Sequence, residues 1–194
     1  MRLKEHLILA LTLTLLLGLG CAPRRLASPG GVALKPGDYL EASYRAPDFD
    51  PEQVSFILEP FTVQQAQGVA PEVFQTLLKA ELAKALADNG LSTTPSEDQP
   101  PCPLSGTVEQ VRVKGSRFRW LIGQISGDLA VSGTIRRGEE VIFAFQDRVR
   151  LVSPINPGPP PPKETELLLK QVAHIFATHL LNELLLQGFA PGGG

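Results

Sequence analysis

Cys21 is the residue whose surroundings specify a chemistry most sharply. It follows Gly18-Leu19-Gly20, and small Gly20 suits a peptidase that needs a small residue before its cut. Upstream, Arg2 and Lys4 form a positive n-region, and Leu7 to Leu19 is an apolar run of about a dozen residues, short for a membrane span. Together these read as a bacterial lipoprotein export signal. The Cys21 thiol would then carry a thioether-linked lipid. Gly18 departs from the usual Leu three residues before the cysteine, although Leu17 and Leu19 flank that slot. Ordinary secretion with cleavage near Ala22, or an uncleaved anchor, are the competing readings.

The other reactive residue types assemble no catalytic motif. G-x-S-x-G, G-x-x-x-x-G-K-[ST] and H-E-x-x-H are all absent. His174 and His179 stand five apart on a helical segment, so their side chains diverge by about 140° and cannot easily share a metal ion. They read as core or boundary histidines. Cys102 lies between Pro101 and Pro103 with no nearby base to lower its pKa. No catalysis, cofactor or metal is expected.

Basic and aromatic residues cluster once. Arg112, Lys114, Arg117, Phe118, Arg119 and Trp120 lie together, and no acid occurs from residue 110 to 127. Arg and Trp are frequent interface anchors, and cations beside an aromatic also suit an anionic lipid surface. The plainer reading is a loop whose Phe118 and Trp120 fold back onto the sheet. These six residues are the partner-binding candidates.

Composition is that of a globular domain, with 43% apolar and 20% charged residues. Loss of Arg2, Lys4 and Glu5 with the leader takes the formal charge from -2 to -3. A mildly acidic chain offers nucleic acid no attractive field. With Cys21 lipidated, Cys102 has no cysteine left to pair with in the chain, and shelter in the core is expected. Ala22 rather than Asp after the cysteine favours the outer membrane, with the domain facing the periplasm.

The chain divides into a signal peptide (1–20), a lipidated tether (21–52), a domain (53–188) and a disordered tail (189–194). Asp38 to Tyr44 suggests a short strand. Val54 to Val63 alternates as a strand. Val73, Phe74, Leu77, Leu78, Leu82, Ala85 and Leu86 recur at helical steps between Pro71 and Asn89-Gly90. Leu91 to Thr94 suggests a short strand, Pro95 to Pro103 a loop, and Leu104 to Lys114 another strand. Gln124 to Val152 reads as a hairpin. Matching the parity of its two apolar rows predicts a three-residue loop, Arg137-Gly138-Glu139. That register sets Ile135 opposite Val141, Val131 opposite Phe145, Asp128 opposite Arg148 and Arg136 opposite Glu140. Pro154 to Pro162 holds six prolines and reads as a stiff spacer. Glu164 to Gln187 is a Leu-rich helix whose apolar residues cover more than one stripe, which implies deep burial or a partner. The fold class is α+β: a two-layer sandwich, a mostly antiparallel sheet with two helices on one face.

This pattern resembles small bacterial envelope lipoproteins of unknown function, whose domain is similar to that of the curli-secretion lipoprotein and of penicillin-binding-protein activators. The likeness covers roughly residues 53 to 187. It rests on Cys21, the strand Val54-Ser55-Phe56-Ile57-Leu58-Glu59-Pro60-Phe61, the Pro71-led helix, Leu104-Ser105-Gly106-Thr107-Val108, Gly123 and Gly127, the hairpin and the closing helix. It implies an adaptor or assembly role and transfers no catalytic residue. The expected function is a lipid-anchored periplasmic adaptor, held to the membrane through Cys21 and contacting an envelope protein complex. A self-assembling structural lipoprotein of a secretion or export system, a homo-oligomer, is the alternative.

Overall fold

The computed structural model of the chain describes residues 28–95, 99–115, 124–153 and 162–186. The signal peptide, Cys21 and the tail at 189–194 lie outside them. In chain order the elements are β1 (Ala42–Arg45), β2 (Ser55–Leu58), β3 (Thr62–Val63), β4 (Ala66–Gln67), α1 (Pro71–Asp88), β5 (Pro101–Gly115), β6 (Ile125–Arg137), β7 (Glu140–Val152) and α2 (Pro162–Leu185). The expected α+β two-layer sandwich is what forms.

The strand order is β1-β7-β6-β5-β2, with β3 and β4 continuing β2 along the same edge of β5. β5, β6, β7 and β1 each run antiparallel to the next, whereas β2, β3 and β4 run parallel to β5, as the α1 crossover requires. Along β6, Ile125, Gly127, Leu129, Val131, Gly133 and Ile135 point inward. A β-carbon on Gly127 would meet Val172 and Leu168, so this inward face is the one α2 covers. The Phe145 ring meets Phe176 of α2 at 5.8 Å between centroids. Phe56, Phe74, Phe143, Phe145 and Phe176 are fully buried, each contributing about 1.5–3 kcal/mol of transfer free energy.

α1 starts at Pro71, whose missing N–H costs nothing at the first helical position. It ends in a Schellman motif. The Leu91 N–H donates to the Leu86 carbonyl (3.0 Å), the Gly90 N–H to the Ala87 carbonyl (3.1 Å), and Gly90 takes φ +72°. α2 is mostly internal: Leu168, Leu169, Val172, Phe176, Leu180 and Leu184 are all buried. Leu167, at 57% exposure, is the exception among its leucines.

Four expectations are corrected. The hairpin turns in two residues, Gly138-Glu139, with Arg137 opposite Glu140 and Arg136 opposite Val141. Gly138 takes φ +61° at the first central position, where a type II′ turn places Gly. A bulge between Ile135 and Arg136 absorbs the parity mismatch, and beyond it Ile135 faces Phe143, Gly133 faces Phe145, Val131 faces Asp147 and Asp128 faces Arg150. The register moves by two residues, so the inward rows keep their parity.

The sheet also begins upstream of the residue-53 boundary. β1 pairs with β7, and Leu40, Ala46 and Phe49 are core residues, so much of the expected tether belongs to the domain. Leu91 to Thr94 is not a strand; the Ser92 carbonyl accepts one bond from the Phe56 N–H (2.7 Å). β5 starts at Pro101, inside the expected loop. Its pairing with β6 begins only at Leu104 opposite Ile135, so Pro101 and Pro103 sit where β5 has one neighbour.

Candidate interaction surface

Arg112 and Lys114 extend from β5 on the face of the sheet away from the helices, where Val111 and Val113 point inward. Cross-strand register makes a row of Arg112, Asp128 and Arg150 over β5, β6 and β7. Asp128 accepts from Arg112 Nη2 (2.7 Å) and Nε (3.1 Å), and Arg150 Nε approaches it at 3.5 Å. Arg112 is therefore a half-buried strand residue paired with Asp128. Arg148, opposite Ala130, lies on the same face and meets Glu41 at 3.4 Å. The side chains of Arg148 and Arg150 are 59% and 74% exposed. Arg117, Phe118, Arg119 and Trp120 lie outside the described residues; the segment that carries them leaves β5 at Gly115 and returns before Ile125.

The chain arrives on this same outer face. The turn Pro29–Gly31 packs across β6 and β7, and a β-carbon on Gly30 would meet Val141 and Thr134 side chains. Between the turn and β5 runs a shallow groove of about 680 Å³, with Ser105, Thr107, Glu109, Ser132 and Thr134 in its lining. Ser132 Oγ donates to Glu109 at 2.8 Å.

Inward polar groups serve as fastenings. Asp147 interrupts the apolar row of β7, is 3% exposed, and pairs with His179 Nδ1 of α2 at 2.9 Å. His174 pairs instead with Glu81 of α1 at 3.1 Å. The two histidines thus serve different carboxylates, and no metal-binding group of His, Cys, Asp and Glu occurs among the described residues. Glu183, buried in α2, accepts from the backbone N–H groups of Asp38, Tyr39 and Leu40 (2.8–3.3 Å) and from Ser43 Oγ at 2.7 Å. Arg45 donates to the carbonyls of Leu184 (2.9 Å) and Leu186 (2.6 Å), capping the C-terminus of α2. Burial holds its pKa below the ordinary arginine value against the opposing pull of Asp50 and Glu183. Cys102 is fully buried, and burial raises its thiol pKa. Sequence reasoning missed Asp147, Glu183 and Arg45. The one available signal was Asp147, a gap in an otherwise apolar alternation.

No protein-family model matches the sequence, and no curated protein matches it significantly. Solved structures do. A Xanthomonas campestris protein superposes with a TM-score of 0.50 at 9% identity, covering 71% of this chain and 86% of that chain. A minor lipoprotein from Acinetobacter baumannii gives a TM-score of 0.45 at 13% identity over 66% and 92% of the two chains. A PelC dodecamer from Paraburkholderia phytofirmans gives 0.46 at 14% identity over 73% and 94%. The chain shares the fold of the Xanthomonas protein, and structures described as lipoproteins recur among those similar to it.

Proposed function

We propose that the chain is a lipid-anchored, non-catalytic lipoprotein of the bacterial outer membrane that contacts an envelope protein complex from the periplasmic side. The Cys21 signal, with Ala22 behind it, supplies the anchor. The contact is made by Arg117, Phe118, Arg119 and Trp120.

The observation that carries this reading is the polarity of the sheet. The tether joins the domain beside Thr134, whereas the basic and aromatic loop springs from Gly115 and Gln124, next to Ile125. Nine residues of β6 separate the two positions, about 30 Å of strand. The two ends of the segment thus stand at the end of the sheet remote from the attachment. The inward polar groups support the non-catalytic part, since the carboxylates of Asp147, Glu183 and Glu81 are each committed to bonds that hold elements together.

Crosslinking and recovery from native membranes tests this. Wild type should recover one envelope complex, and Cys21→Ser should lose it. Arg117→Glu with Trp120→Ala should lose it as well while the chain stays folded and anchored. Recovery of self-crosslinks alone would move the assignment to self-assembly. Full recovery by the loop variant would remove the loop as the contact.

A further inference from the structure

The outer face of the sheet carries a second feature that the loop does not explain. Register places Arg112 and Lys114 of β5 and Arg148 and Arg150 of β7 on one face, either side of β6, with Asp128 of β6 and Glu41 beside β1 as the acids among them. Asp128 is shared by Arg112 and Arg150, and Glu41 touches Arg148 only at 3.4 Å. Four cations against two acids leave the patch net positive in a chain that is net negative overall. The two arginines of β7 are the most solvent-exposed of the group that forms ion pairs.

The chain joins the domain on this same face, at Pro29–Gly31. Only six residues lie between Cys21 and Ser28, seven chain steps with a reach of at most about 25 Å even when fully extended. That segment contains Arg24 and Arg25. From Thr134, where the tether leaves, to Asp128 is six residues of β6, about 20 Å. A lipid on Cys21 would therefore let the outer face reach the leaflet, with the helices on its far side. Glu59 and Glu109 at the tether end of the groove oppose close approach there, so the basic end is drawn down more strongly.

We infer that the outer face of the sheet is a membrane-apposed surface, and that Arg112, Lys114, Arg148 and Arg150 rest on anionic phospholipid headgroups. The occupant is lipid rather than an acidic protein because the short leash and the patch share one face. Basic groups act on an anionic leaflet only within about a Debye length, ~8 Å at physiological salt, and the leash is long enough to allow that approach while attraction to the headgroups supplies the hold. The inference rests on lipidation of Cys21, which the mass of the N-terminal peptide reads independently.

The test uses the lipidated full chain in vesicles of phosphatidylcholine, alone or mixed with phosphatidylglycerol. A fluorophore is placed on Ser126→Cys, beside Lys114 on the outer face, or on exposed Lys170→Cys of α2. A headgroup-attached quencher reports proximity. The Ser126 site should be quenched on phosphatidylglycerol vesicles, less on neutral ones, and least at high salt. The Lys170 site should stay bright. Each cation near an anionic leaflet changes the surface population about fivefold, so Arg148→Glu with Arg150→Glu should lower it on the order of tenfold or more. Equal quenching of the two sites, quenching indifferent to lipid charge, or an unchanged double variant would overturn the inference. A lipid-free N-terminal peptide would instead count against the anchor itself.

Discussion

The Phe61 ring lies against Gly106: a β-carbon built on Gly106 would sit 2.5 Å from ring Cε1 and 2.5 Å from the Ser132 carbonyl oxygen. The two residues come from separate sequence motifs, the strand that ends Pro60-Phe61 and the segment Leu104-Ser105-Gly106-Thr107. Their pairing gives a physical reason for a glycine in the middle of a long strand. Gly106→Ala should destabilise the domain by about 1–3 kcal/mol through overpacking, and Phe61→Ala by about 3–5 kcal/mol through the cavity it leaves. In urea unfolding the double variant should lose less than the sum, because the ring that clashes is gone. Strict additivity would show that the ring and the glycine do not constrain each other.

Gly90 meets nothing within 4 Å at its missing β-carbon, yet holds φ +72°. Any effect of Gly90→Ala is therefore conformational. A loss of about 1–2 kcal/mol is expected, with Gly90→Asn milder. Thermal melts of the two variants measure the difference, and an Ala variant as stable as wild type would mean the helix end adopts another geometry.

Glu183 bonds three backbone N–H groups and the Ser43 hydroxyl from a buried position. Glu183→Gln replaces one acceptor oxygen by an amide NH2 donor and removes the charge. About 2–3 kcal/mol should be lost. Segment 28–40 should become the first site of proteolytic cutting, ahead of the β5–β7 sheet. Limited digestion with mass mapping reads this, and an unchanged cutting order would show that other contacts hold the segment.

Cys102 gives a pH dependence whose sign follows from its burial. Desolvation raises the folded thiol's pKa above the ordinary value of 9.0, and the Arg137 charge opposes this weakly. The unfolded chain therefore loses the thiol proton first as pH rises. The stability that this thiol contributes is complete below the unfolded value and falls as pH climbs from there through the folded value. Cys102→Ala should remove that component of the alkaline slope in denaturant titrations. Wild-type thiol should also resist alkylation until the domain unfolds; rapid labelling of folded protein would contradict its burial.

Local signals in the sequence reported elements well where each residue answers to its neighbours. Pro71 and Asn89-Gly90 bracket α1, and the apolar steps between them are its buried side. The hairpin register escaped for a definite reason. Parity counting assumes an unbroken ladder, and one bulge at Ile135/Arg136 lets a two-residue turn satisfy both apolar rows. The fastenings made by Asp147 with His179 and by Glu183 with residues 38–43 span 32 and up to 145 positions. Nothing local announces them. Arg148 and Arg150 join the basic surface only through their strand partners, so linear clustering singled out Arg112 and Lys114 without them.

The borders of the sheet have a consequence for the chain among its own copies. β1 is four residues long and its outer side is already engaged by Lys35, which exchanges two 2.8 Å bonds with Ser43. The opposite border is cut into three pieces around Pro60, and Phe56 spends its N–H on Ser92. Among the described residues both borders are short or interrupted, which leaves little unbroken backbone for another strand to copy. Confinement to a membrane plane multiplies encounters between neighbours, and a surface able to template itself would grow into fibres there. Were the chain anchored through Cys21 as proposed, such collisions would meet these short, interrupted borders, and crowding would gather the molecules without zipping them together.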